Sequence, residues 1–174
     1  MLFLFLHRMG RGDSMHIITY NRDAAVEYGI KWALKRNPSY YNFDGLGGDC
    51  TNFVSQCIYA GSKVMNYQSV NGWFYRSSSD RTASWTGVEY LFSFLLNNKS
   101  VGPFGSVVGS DHLLVGDVVQ LGNSNGRYYH SLLVTQTFPQ ILVAAHTDDA
   151  LNRPLSSYDY KSLRFLHVDG VRTW

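Results

Sequence analysis

An α+β fold, with helices in the amino-terminal half and an antiparallel sheet after them, is what the order of patterns in this sequence predicts. Three observations carry it. Apolar residues recur at helical 3/4 spacing in three segments before residue 100. After residue 110 the pattern changes to short runs rich in Val, Leu and Ile. No repeat, low-complexity run or linker divides the chain, so residues 16–174 read as one domain behind a leader at 1–15.

The first helix is expected over 21–36. Asn21 caps it, Ala25, Tyr28 and Trp32 form its apolar side, and Glu27 precedes Lys31 by one turn. Asn37-Pro38 stops it. The second is expected over 50–60, with Cys50, Phe53, Val54, Cys57 and Ile58 on one stripe and Gly61 as its end. The third follows a Thr86/Glu89 capping box and carries Val88, Leu91, Phe92, Leu95 and Leu96. Strands are expected over 113–121, where Gly116-Asp117 makes a turn, and over 128–136, 140–147 and 162–171.

Composition narrows the function. The 174 residues include 15 Lys or Arg against 13 Asp or Glu, a net charge of +2 with no basic cluster, which argues against nucleic acid as the partner. Such a mild positive charge suits an anionic surface such as a bacterial wall. The apolar run at residues 2–6 is shorter than the core of about 7–15 residues that a signal peptide needs. It is shorter still than the roughly 20 residues of a membrane span. The two cysteines, Cys50 and Cys57, would lie about 10 Å apart along one helix. That is beyond the roughly 7 Å reach of a disulfide, so both are expected to be free thiols.

The stretch GLGGDCTNFVSQC places Cys50 at a helix start behind Gly47-Gly48. A helix amino terminus lowers a cysteine pKa, and its first N–H groups lack intrahelical acceptors. Cys50 is therefore expected to ionise below the ordinary thiol value of about 8.5, with its own N–H as an oxyanion donor. A hairpin closed by Thr137-Phe138-Pro139 would place His130 opposite His146, Leu132 opposite Ala144 and Val134 opposite Leu142. His130 would then be the base and His146 the group that orients it, with Asp148 on the same face as the runner-up for that role.

Plainer readings stand beside this one. Cys57, in mid-stripe, reads as core packing, and Asp49 as an N-cap. His7, His16, His112 and His167 read as surface or structurally satisfied residues. The Tyr40-Tyr41-Phe43 and Trp73-Phe74-Tyr75 clusters favour core over groove, yet Tyr41, Trp73 and Tyr75, with Asp49, are the candidates to border a substrate cleft. Cys50, His130 and His146 as three zinc ligands is a weaker alternative, because no CxxC or HExxH spacing accompanies them. A non-catalytic module that binds wall or glycan is the other rival.

The segment YNRDAAVEYGIKWALKRNPSYYNFDGLGGDCTNFVSQCIYAG, followed by SWTGVEYLFSFL, GDVVQL, YYHSLLVTQ and ILVAAHTDDALNRPL, resembles the putative amidase domain family of Gram-positive bacteria. This family is akin to the NlpC-type and CHAP cysteine peptidases, and the resemblance runs over roughly residues 20–158 in family order. It implies a papain-like, NlpC-type fold, with Cys50 as nucleophile, His130 as base and His146 as the third polar residue. The implied reaction is amide hydrolysis through a thioester, without a metal or other cofactor, on peptidoglycan or its peptide fragments. An extracellular or wall-associated location follows from the same resemblance. Other papain-like proteins are acyl hydrolases or transferases with different substrates, and that class stays open.

Overall fold

The computed structural model describes residues 14–174, so residues 1–13 of the expected leader lie outside the described residues. The elements are β1 (His16–Ile18), α1 (Arg22–Trp32), α2 (Cys50–Ser62), α3 (Ala83–Thr86), α4 (Val88–Asn97), β2 (Gly102–Val108), β3 (Val118–Gly122), β4 (Tyr128–Gln136), β5 (Leu142–Ala145), β6 (Ala150–Pro154) and β7 (Ser162–Thr173). The fold is α+β, and the strands form one antiparallel sheet in the order β1-β7-β3-β4-β5-β6, with β2 along the other side of β7.

Alternation along the strands divides the core in two. Val118, Leu133, Ala144 and Leu166 face the helices and pack with Phe53, Val54, Cys57, Ile58, Trp73, Trp85 and Leu91. Val119, Leu121, Leu132, Val134, Val143 and Ala145 face the other way, where Leu113 and Leu155 cover them.

Asn21 caps α1 as its sequence position predicts, accepting the Ala24 N–H at 3.0 Å. The helix ends at Trp32, four residues before the expected stop, and the Trp32 carbonyl is bound from outside by His146 Nε2 at 2.8 Å. Gly61 is not the end of α2. The helix runs on to Ser62 and closes at Lys63, which takes a left-handed φ of 56°. Gly61 instead lets α2 touch the entrance of α1: a Cβ there would lie 2.4 Å from a Tyr20 ring carbon and 2.6 Å from the Asn21 carbonyl oxygen. Gly61→Ala is therefore expected to cost about 1–3 kcal/mol through overpacking, read as a lowered midpoint in thermal unfolding.

The Thr86/Glu89 capping box does not form. Thr86 ends the short α3, Gly87 precedes α4, and Glu89 accepts the Tyr128 N–H and pairs with Arg164 at 3.0 Å. Three strands lie outside the expected set: β1, β2 and β6.

The β4–β5 register also differs from expectation. Leu133 lies opposite Ala144 and Val134 opposite Val143, and an irregularity then sets Gln136 opposite Leu142. One extra residue on the β4 side moves the pairing by a step, and a one-residue step reverses which face each side chain occupies. His130 therefore lies on the face of Leu132 and Val134, while His146 falls on the helix face against Phe53.

Candidate active site

Pairing of β4 with β5 begins only at Leu133, so residues 128–132 have no β5 partner. The amino terminus of α2 occupies that opening. Thr51 Oγ1 lies 3.1 Å from Ser131 Oγ, and the Cys50 sulfur sits against the Ser131 backbone, next to His130 in the chain. As the first residue of α2, Cys50 has an N–H with no intrahelical acceptor. Gly47 and Gly48, at φ 100° and 107°, make a left-handed approach to this helix, a conformation glycine takes without steric cost.

Asp49 organises the helix start from below. Its carboxylate is fully buried and accepts from the Phe43 N–H at 2.9 Å, from Asn52 Nδ2 at 2.8 Å and from His146 Nδ1 at 2.6 Å, with Arg36 Nε at 3.5 Å. It makes no side-chain cap to the helix backbone and contacts no open surface, which corrects both the capping and the substrate-binding expectation for Asp49. Its own N–H donates to Thr147 Oγ1 at 2.8 Å. Thr147 and Asp148 both have left-handed φ, 59° and 64°, a costly conformation for a β-branched residue that the Asp49 bond helps hold.

His146 is 1% exposed and stacks on Phe53 with ring centroids 4.1 Å apart. Both of its ring nitrogens face acceptors, the Asp49 carboxylate and the Trp32 carbonyl, and neither is directed at His130. His130 is 8% exposed, with the Tyr129 and Tyr158 rings about it at 6.4 and 6.2 Å between centroids. Burial pulls its pKa down to about 4; the Asp148 carboxylate works in the opposite direction, and Arg153 adds to the depression. The structure thus brings Cys50 together with the backbone beside His130, while the Asp148 charge favours the protonated His130 ring. It separates His146 from that group.

Burial also pushes the Cys50 thiol up, against the backbone and hydroxyl contacts of Ser131 and Thr51 that favour the thiolate. The expected depression by the helix terminus is overturned by desolvation, and the resting pair is a neutral thiol and a neutral imidazole. Cys57 is fully buried in the core, its thiol pushed well above the ordinary range by burial, and both cysteines are free. Alkylation by iodoacetamide is accordingly expected to be slow at neutral pH and to accelerate on the alkaline side, with Cys50 labelled before Cys57. Peptide mapping at a series of pH values checks this.

Of the aromatic candidates, Tyr41 is 47% exposed at the rim, where its carbonyl accepts from Asn52 Nδ2 at 3.0 Å. Tyr75 is partly buried and its hydroxyl takes the Tyr41 N–H at 2.9 Å. Trp73 is fully buried, donating to Ser55 Oγ at 3.0 Å, so it supports the core and cannot border a cleft. Among the described residues no group of three or more His, Cys, Asp or Glu side chains converges on a metal position. No described helix is long and apolar enough to cross a membrane.

Sequence reasoning missed the polar stripe inside α2. Asn52, Ser55 and Gln56 are buried, binding Tyr41, Trp85, Trp73 and Tyr28, so the helix is fixed from several sides. The signal was present as TNFVSQ, four polar residues in a run that an ordinary core helix would keep apolar.

The model of the putative amidase domain matches residues 19–168. The chain belongs to the putative amidase domain family. Among curated proteins it is similar to two from Bacillus subtilis (strain 168), both named as uncharacterized. YhbB is 36% identical over 118 residues, which is 66% of this chain and 37% of that protein. YjcM is 25% identical over 162 residues, 88% of this chain and 37% of that protein. The chain thus spans little more than a third of the length of either relative. No solved structure matches it. The family's name fits a hydrolase, and the matched residues contain all of α2 and β3 to β6.

Proposed function

We propose that this protein is a cysteine amidase or peptidase that hydrolyses amide bonds of bacterial peptidoglycan, with residues 16–174 as one catalytic unit of papain-like, NlpC-type architecture. The observation that carries the reading is the seating of Cys50, at the start of a buried helix, against Ser131 and thus next to His130, on the stretch of β4 that has no β5 partner. Membership of an amidase family and the motif order of NlpC-type and CHAP enzymes support the same chemistry.

The roles follow from the surroundings. The neutral His130 ring accepts the Cys50 proton as the sulfur bonds to the substrate carbonyl carbon. The carbonyl oxygen becomes an oxyanion about 3 Å from the Cys50 N–H. Collapse breaks the C–N bond, and His130 returns the proton to the leaving amine. Water, deprotonated by the same ring, then hydrolyses the thioester. Asp148 is assigned to stabilise the protonated ring by its charge during this cycle. His146 is a positioning residue: it secures Asp49 and, through it, the Cys50 end of α2.

The test is incubation with purified sacculi and soluble muropeptides, followed by mass spectrometry and an assay for new amino groups. Release of amines supports the reading and identifies the bond. Intact sacculi alongside turnover of an unrelated acyl-amide would retain the cysteine hydrolase and discard the wall substrate.

A further inference from the structure

A cavity of about 890 Å³ opens between the 66–75 loop, the start of α3 and the outer face of α4. It is separate from the Cys50 opening, and its volume lies in the upper part of the range of ligand sites, about 300–1,000 Å³. We propose that it binds a carboxylated oligosaccharide. The proposal extends the peptidoglycan reading to a second site and rests on that reading for the choice of sugar.

Charge points to an anion. Arg81 and Lys99 line the cavity and no Asp or Glu does. Neither cation pairs with a carboxylate among the described residues. The nearby Asp80 is bound to Arg76, at 3.3 Å. The Arg81 guanidinium lies over the Phe43 ring at 4.4 Å, and its Nε–H is buried without a hydrogen-bond partner among the described residues. Another donor of the same guanidinium, Nη1, is taken by the Ser78 carbonyl.

The neutral groups point to a hydroxyl-rich ligand rather than an apolar one. The side-chain amides of Gln68 and Asn71 line the cavity and form no hydrogen bond with another described residue. An amide offers both donors and an acceptor, the pair that a sugar hydroxyl and an N-acetyl group need. Tyr90 is 63% exposed on the lining and supplies a flat apolar face for a sugar ring. The back wall is already fixed: Ser84 Oγ donates to the Gly72 carbonyl at 2.6 Å, and Asn98 Nδ2 to the Pro103 carbonyl at 2.9 Å. A ligand therefore meets a formed surface and the ordering cost of binding is small.

Phe43 links this site to the other. Its ring carries Arg81 and its N–H is bound by Asp49, the residue before Cys50. An acidic glycan held in the cavity is thereby anchored beside the face on which amide bonds would be presented to Cys50.

The experiment titrates the full chain carrying Cys50→Ala with the disaccharide of N-acetylglucosamine and N-acetylmuramic acid, its lactyl carboxylate free. N,N′-diacetylchitobiose, which is neutral, is the reference, and calorimetry is the readout. The acidic disaccharide is expected to bind about tenfold more tightly than the neutral one, the step an added charge-assisted contact gives. Lys99→Glu, at an exposed position, is expected to remove that preference with the circular dichroism spectrum unchanged. Binding of neither sugar, equal binding of both, an unaffected Lys99→Glu variant, or displacement by equimolar inorganic phosphate would each overturn the proposal. Amine release by the unsubstituted chain is measured in parallel. Sugar binding without amine release from muropeptides leaves this site standing and removes the wall-amidase reading, and the reverse result does the opposite.

Discussion

Cys50→Ala is expected to abolish amine release from muropeptides, by roughly 10⁴-fold or more, while the thermal midpoint stays close to that of the unsubstituted protein. The side chain is small, alanine is the best helix former, and the sulfur makes no strong contact that folding depends on. His130→Ala should lose activity to a comparable extent. The pH profile of kcat/KM carries further information. A general base works only while its ring is neutral, and burial holds His130 neutral down to about pH 4. As pH falls through that value the ring takes up a proton and can accept no other. The acid limb is thus expected near pH 4 rather than near the ordinary histidine value of about 6.5. An acid limb at the ordinary value would place the catalytic base elsewhere.

Asp49→Ala and His146→Ala should be the most destabilising single substitutions around the site. The two side chains are each 1% exposed and 2.6 Å apart. Removing one partner leaves the other buried with one hydrogen bond unmet, a loss of about 1–3 kcal/mol. Urea unfolding of each variant measures it. The double variant should cost less than the sum, since the second truncation removes the group that the first left stranded. If His146 acts by positioning, the folded fraction of His146→Gln should keep the acid limb of the unsubstituted protein, because that limb belongs to His130. A displaced limb would return His146 to a direct role.

What the sequence made legible was local. Asn21 marks its helix because capping is read within a single turn, and Gly47-Gly48 marks the start of the helix that Cys50 opens for the same reason. The limits of β4 are matched because its run of apolar residues is bounded by turn residues. What stayed hidden depends on partners far along the chain. β2 reads poorly because Pro103 and Gly105 interrupt it. It tolerates both as a strand paired only to β7, where Gly105 sits at a register shift with the His167 carbonyl against it. Asp117 looked like a turn residue. It is a fully buried hub that binds Arg22 at 2.6 Å and His167 at 2.8 Å, and those partners lie 95 and 50 residues away in sequence. The histidine register failed at one irregularity in β4, which no local pattern announces. Asp148 was legible only as a runner-up for a separate reason: two residues with positive φ redirect the chain after His146, a turn that no ladder pattern announces.

The separation of Asp49 from its partners has a consequence for the order of assembly. The bonds to Thr147 and His146 span 98 and 97 residues, whereas those within α2 span four or fewer. Loop closure over such a distance is slow compared with winding a helix. During synthesis the middle of α2 can therefore form well before its Cys50 end is anchored, since that anchor waits until the β5–β6 turn has left the ribosome.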